Sequence, residues 1–435
     1  MNDLKTAKSP WTSLIWPALI GATLPIPVEL IGTLYVGEIL LLGALFHALL
    51  RKHTSMKKWP RLMRPLALSM LLMIVGYLLS DLIVGAPAKD MMRGSARVIF
   101  VLIDVFGMAA VVGYSGSRLQ AVALGYAAAA GALALAGLSG QPFLAYWKLD
   151  LGVPVTMAVA LVLGNLRLLK TALAPLAFMA LGMLHVYLDS RSQGALCVAV
   201  GAVLLANLVR ASRWRVLAWP ATFAALGLAA LLVAGSLLNG SEFSERRANS
   251  DTWRLAGVQV AAAEIFSSPL IGHGSWATNA NLLDAVNGKQ RDNGYQANNN
   301  VGEGTFQAHS MVLQAWFEGG LLALIFPVLY GVAIVRGIRA VWQSERHVKN
   351  PQLVLLLLLF TGLVHLLSSP FNGGHRLDVA FALCAFIVAN GWLQAAQTAG
   401  RRRMIGNVWI RRQPAMAGAA HLEYSPGPYS PRPLR

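Results

Sequence analysis

Acidic residues are scarce in this chain. Of its 435 residues only 19 are Asp or Glu, against 36 Lys or Arg, and charged residues of both signs make up 13%. No Asp-x-Asp pair, no His-Glu-x-x-His and no phosphate-cradling Gly-Lys-Ser/Thr occurs. The usual residues of metal-assisted or nucleotide-driven chemistry are therefore missing, and neither a metal nor a cofactor is expected. Cysteine is nearly absent too. Cys197 and Cys384 each lie inside an apolar run, which leaves no disulfide framework and no Cys-based metal site to argue.

What fills the chain instead is apolar. Hydrophobic residues reach 56% and mean hydropathy is +0.55, beyond the roughly 45–50% of ordinary soluble domains. The chain is read as an all-α polytopic membrane protein. The net charge of +17 does not imply a nucleic-acid partner, because the basic residues sit in clusters between apolar runs rather than along one face.

With about twenty apolar residues per span, about twelve spans are expected: near 11–27, 30–50, 66–84, 97–114, 119–138, 152–168, 171–188, 194–209, 216–238, 309–335, 352–370 and 376–396. The N-terminus carries Lys5 and Lys8 ahead of an apolar run, but no small-residue cleavage site follows Leu24-Pro-Ile-Pro27, so it reads as a retained first span. The positive-inside rule supports the count. With the N-terminus cytoplasmic, most basic residues fall inside, including the cluster from Arg51 to Arg64 and the tail arginines. Residues 1–238 then hold spans one to nine, 239–308 a large external loop, 309–396 the last three spans, and 397–435 a basic, Pro-rich cytoplasmic tail with little to bury, expected to be disordered.

The external loop is the one long interval without a membrane-length apolar run, which favours a working site over a passive connection. It contains a patterned segment from Ser250 to Phe266, in which Ser250 can cap a helix, Asp251 complements its dipole, and Val258, Ala261 and Ile265 form an apolar stripe. A turn at Ser267–Gly274, a polar loop over Asp284–Phe306 and then Ala308-His309-Ser310 follow.

Few basic residues remain outside. Among them Arg191, Arg254, Arg93 and Arg97 are suited to bidentate recognition of phosphate oxygens, although any single arginine at a helix end can simply reach for lipid headgroups. His309 opens the tenth span, and its imidazole can take a proton at neutral pH. A lone histidine there is more often a hydrogen-bonding helix end, and His185, His273 and His375 compete for the role. Glu318, further along the same helix and followed by Gly319-Gly320, is a buried partner or a packing position.

At these residues the chain resembles the bacterial O-antigen ligase and polymerase superfamily of membrane glycan transferases. The pieces that carry the resemblance are Asp189-Ser-Arg-Ser-Gln-Gly-Ala195, Thr252-Trp-Arg-Leu-Ala256, Ser268-Pro-Leu-Ile-Gly-His-Gly274 and Ala308-His-Ser-Met-Val-Leu-Gln-Ala-Trp-Phe-Glu-Gly319, in that order. Ser310 departs from the asparagine common after the family's histidine. The resemblance implies a GT-C-like membrane enzyme of the inner membrane. It would move a glycan from undecaprenyl diphosphate to a lipid A-core acceptor on the periplasmic face, without metal and with inversion. It also implies that Arg191 and Arg254 bind the donor diphosphate and that His309 is the base. Glu318, Arg93, Arg97 and His375 are supporting candidates from the residue reading alone. A polymerase of the same superfamily shares these motifs and differs in its acceptor. A lipid-glycan transporter would instead use ionisable groups deep in the membrane, such as Glu38, Asp104 and His365.

Overall fold

The computed structural model describes residues 12–29, 33–50, 60–137, 147, 151–166, 173–188, 190–211, 242–276, 280–292, 294, 306–344, 352–371 and 375–411. The chain is an all-α polytopic membrane protein. Its helices are α1 (Thr12–Thr23), α2 (Val36–Leu50), α3 (Met63–Val84), α4 (Ala88–Val112), α5 (Gly116–Ala136), α6 (Gly152–Asn165), α7 (Leu173–Tyr187), α8 (Arg191–Ala211), α9 (Glu242–Ser267), α10 (Ala280–Asp292), α11 (Met311–Ser344), α12 (Gln352–Ser368) and α13 (Arg376–Arg411). One short antiparallel ribbon, β1 (Pro27–Glu29) with β2 (Thr33–Tyr35), joins α1 to α2.

Five helices are long and apolar enough to cross a bilayer: α3, α4, α5, α11 and α13. Shorter apolar helices form α1, α2, α6, α7, α8 and α12. Each expected span coincides with one of these except 216–238, which lies outside the described residues. The surface suits lipid: Phe46, Leu82, Ile83 and Val335 are more than half exposed, while Asp81, Arg97 and Glu318 are buried. Where water supplies no drive for helix association, small residues let backbones close up. The α1–α5 pair does this at Gly21 and Gly125, where a β-carbon would fall 2.0 Å from the carbonyl oxygens of Val122 and Ala18.

Three boundaries differ from expectation. Helix α4 starts at Ala88, right after Pro87, so Lys89, Arg93 and Arg97 ride on its first turns rather than in a loop. Helix α9 starts at Glu242, so Ser250 and Asp251 are interior and cap nothing. The segment Glu242–Ala248 is rich in helix-forming Glu, Arg and Ala, which carries the helix upstream of the apolar stripe. The expected polar loop begins as helix, since α10 runs to Asp292 and buries Leu282 and Val286, one turn apart. These two residues meet Ala256, Val260, Ala261 and Ile265 of α9 together with Phe306, Ala308 and Phe317 in a small core separate from the main one. The expected stripe therefore packs on α10 and on the start of α11. One compact unit runs as far as Leu393; from Gln394 the chain forms a second, which is helical to Arg411 across the boundary expected at 397.

Candidate active site

Helix α11 breaks at Gly319 (φ −124°, ψ 18°) and Gly320 (φ 62°, ψ −155°). A break in a membrane helix frees backbone groups that lipid cannot satisfy. The turn after α9 satisfies them here. His273 N–H donates to Phe317 C=O (2.8 Å), Gly274 N–H to Glu318 C=O (3.1 Å), and Leu321 N–H to Leu270 C=O (3.2 Å). Only glycine permits this approach: a β-carbon on Gly320 would sit 2.1 Å from Leu270 C=O, and one on Gly272 (φ 86°) 2.6 Å from Glu318 C=O. The Ser268–Gly274 turn and the Glu318-Gly-Gly end of the last motif are thus two halves of one joint.

Beneath the joint lies a buried polar cluster. Arg97 of α4 forms an ion pair with Glu318, donates to Ser275 C=O (2.9 Å) and to Phe371 C=O, and lies 3.3 Å from Tyr77 Oη. Tyr77 Oη donates to Glu318 Oε2 (2.7 Å). Asp81 of α3 accepts from the backbone and the hydroxyl of Ser275, each at 2.6 Å. On the other side Gln314 Nε2 donates to Glu318 Oε1 (2.6 Å), while Gln314 Oε1 accepts from Ala308 N–H (2.6 Å). A continuous chain of bonds thus runs from Arg97 through Glu318 and Gln314 to the residue before His309.

His309 precedes α11 with φ 48°, the one positive φ at a residue other than glycine among the described residues. Such a conformation is costly for a non-glycine residue and persists where surroundings hold it. Its Nε2 is buried and has no hydrogen-bond partner among the described residues. Burial and, second, the charge of Arg254 push its pKa down to about 4. At neutral pH the ring is therefore uncharged, the protonation state a general base requires.

Helix α9 brings the remaining pieces together over two successive turns. Asp251 grips Arg191, the first residue of α8, with paired bonds of 2.7 and 2.9 Å. Arg254, one turn on, is exposed. Gly257, one turn further, faces the His309 ring, whose Cδ2 would lie 3.6 Å from a β-carbon there. The bidentate role of Asp251 was missed in the sequence, where the residue read as a dipole partner for a helix start that the structure lacks. Its spacing of three from Arg254 was the available signal.

The other candidates divide. Arg93 lies over the Trp276 ring at 5.8 Å, next to the Arg97 cluster. Arg97 is engaged on several sides, which suits it to positioning rather than to meeting a ligand. His185 is a satisfied core histidine between Trp147 Nε1 (3.1 Å) and Thr156 Oγ1 (2.8 Å). His273 stacks on Phe317, with ring centroids 4.9 Å apart. His375 groups with His365 and Asp378. Glu38 pairs with Arg376. The side chains of Glu242 and Glu245, acidic residues upstream of Arg254 on the same helix, lie outside those described.

Fold and geometry together define a polytopic membrane protein with a candidate site built against a broken helix. The family comparison makes this specific: residues 176–328 match the family described as O-antigen ligase, a stretch from within α7 to the middle of α11 that contains Arg191, Arg254, His309 and Glu318. The resemblance to the O-antigen ligase superfamily read from the four motifs therefore holds over that stretch. No curated protein matches the chain.

Proposed function

We propose that this protein is an O-antigen ligase that transfers a glycan from undecaprenyl diphosphate to a lipid A-core oligosaccharide at the periplasmic face of the inner membrane. The observation that carries the reading is a neutral His309 in a strained backbone conformation, its Nε2 buried without a partner among the described residues and its pKa lowered by the charge of Arg254 on α9, the helix whose Asp251 grips Arg191 of α8. His309 takes the proton of the acceptor hydroxyl as that oxygen attacks the anomeric carbon. The bond to the diphosphate breaks with its electron pair on the leaving oxygen, and a single displacement inverts the anomeric centre. Arg254 and the N–H groups of Arg191 that Asp251 leaves free meet the charge that develops there. In this scheme arginines supply the counter-charge that a divalent ion provides elsewhere.

Cells lacking the protein test the reading. Polymer should disappear from lipid A while it persists on undecaprenyl diphosphate. Loss of the lipid-linked polymer itself, with single repeats accumulating, would instead make the protein a polymerase of the same superfamily.

A further inference from the structure

Three ligand-type side chains converge where α12 ends and α13 begins. His365 Nδ1 and His375 Nδ1 lie 2.7 Å apart, and Asp378 Oδ2 is 3.3 Å from His375 Nδ1 and 3.5 Å from His365 Nδ1. Among the described residues this is the one group of His, Cys, Asp and Glu whose ligand atoms all lie within 4.8 Å of one another. The imidazoles meet edge-on, with centroids 4.2 Å apart and planes at 66°, so their nitrogens approach a common point from different directions.

The chemistry of that point is unbalanced. With both imidazoles neutral, one Nδ1–H can serve the other Nδ1 and at most share itself with Asp378, so at least one nitrogen–carboxylate approach brings lone pairs toward each other. A cation resolves all three contacts at once. Geometry selects the kind of cation. Tetrahedral zinc, with bonds of about 2.0–2.1 Å, sets neighbouring ligand atoms about 3.3–3.4 Å apart. An octahedral ion with similar bonds sets them about 3.0 Å apart. Both Asp378 distances match the tetrahedral spacing, and the histidine pair needs to part by about 0.6 Å, a small ring rotation, to reach it.

A second observation supplies room and access. Asp378 also lines a small cavity of about 20 Å³ together with Gln193, Thr156, Thr361 and Tyr126, room for about one water beside the carboxylate. The three side chains are 12%, 26% and 22% exposed, so an ion can reach them. Asp378 lies in the first turn of α13, and His375 immediately precedes that helix.

We propose that His365, His375 and Asp378 bind one zinc-type divalent ion that ties α12 to α13. The cluster lies beyond residues 176–328, and the proposal is independent of the glycan-transfer reading. The full chain in lipid nanodiscs would be stripped with chelator, passed through gel filtration and titrated with Zn²⁺ and Co²⁺. Expected are one Zn²⁺ per chain above the level of a His365→Ala/His375→Ala variant and, with Co²⁺, the visible ligand-field band of a four-coordinate site. Loss of an outer-shell contact alone costs about 10–100-fold in metal affinity, so His375→Ala should weaken Zn²⁺ binding by more than about 100-fold. His375 is partly exposed, and Asp378→Asn keeps the shape of the carboxylate, which gives two mild variants. Wild-type protein that elutes as folded yet shows no cobalt band, or binds no more zinc than the double variant, overturns the proposal without recourse to any variant's folding.

Discussion

His309 and the two arginines offer the transition state different things, and single substitutions separate them. Loss of a general base costs about 10²–10⁴-fold in rate while leaving the ground-state hold on the donor intact. His309→Ala should therefore bind the lipid diphosphate nearly normally and transfer glycan poorly in single-turnover assays. A wild-type rate would remove the base assignment. The pH profile carries a second signature. Because the His309 pKa is lowered to about 4, the free protein holds its competent neutral ring through the neutral range, and kcat/KM should fall only as pH drops toward that value. A bound diphosphate opposes the charge of Arg254 and raises the pKa in the complex, so kcat should begin to fall at a higher pH than kcat/KM. Arg191→Lys keeps charge but loses the two-pronged geometry that Asp251 orients, and donor affinity and rate should fall together. Asp251→Asn should weaken donor binding in the same direction although it removes a negative charge. Tighter binding of the donor by Asp251→Asn would show that the aspartate competes with the diphosphate instead of positioning Arg191.

At the scale of elements, the joint between the Ser268–Gly274 turn and the α11 break fixes where His309 stands, through Glu318, Gln314 and Ala308. Glu318→Gln would leave the Arg97 charge buried without its counter-ion, and breaking a buried pair in this way costs about 3–5 kcal/mol. The expected result is a lower unfolding temperature in detergent together with reduced transfer. Gln314→Leu is the finer probe. It keeps the ion pair but frees Ala308 N–H, so turnover should drop more than stability does. Equal losses in both would mean that the cluster only holds helices together. Gly320→Ala must displace Leu270 and strain a φ of 62°, and should destabilise the protein more than alanine at Gly288, where a β-carbon meets nothing within 4 Å.

For the whole molecule, the placement of residues 239–308 outside the cytoplasm is tested by reporter fusions. A reporter active only in the periplasm should work near Asn287 and fail near Gln343; activity at Gln343 would overturn the twelve-span arrangement. Much of the helical architecture was legible in the chain because hydropathy alone selects bilayer-length helices. His309, Arg191 and Arg254 stood out in the sequence as candidates because polar groups at the edge of apolar spans need a reason to be there.

What one-dimensional pattern determined, then, is the helical membrane class and a short set of candidate site residues. Tertiary structure decided how they are held. The Arg191–Asp251 fork joins positions sixty residues apart, the Tyr77–Arg97–Glu318 cluster joins three helices, and the α11 break is closed by a turn from a separate segment. None of these partners shares a period or a local motif. Each pairing exists because a buried charge or a freed backbone group must find its complement wherever the packed helices bring one within about 3 Å.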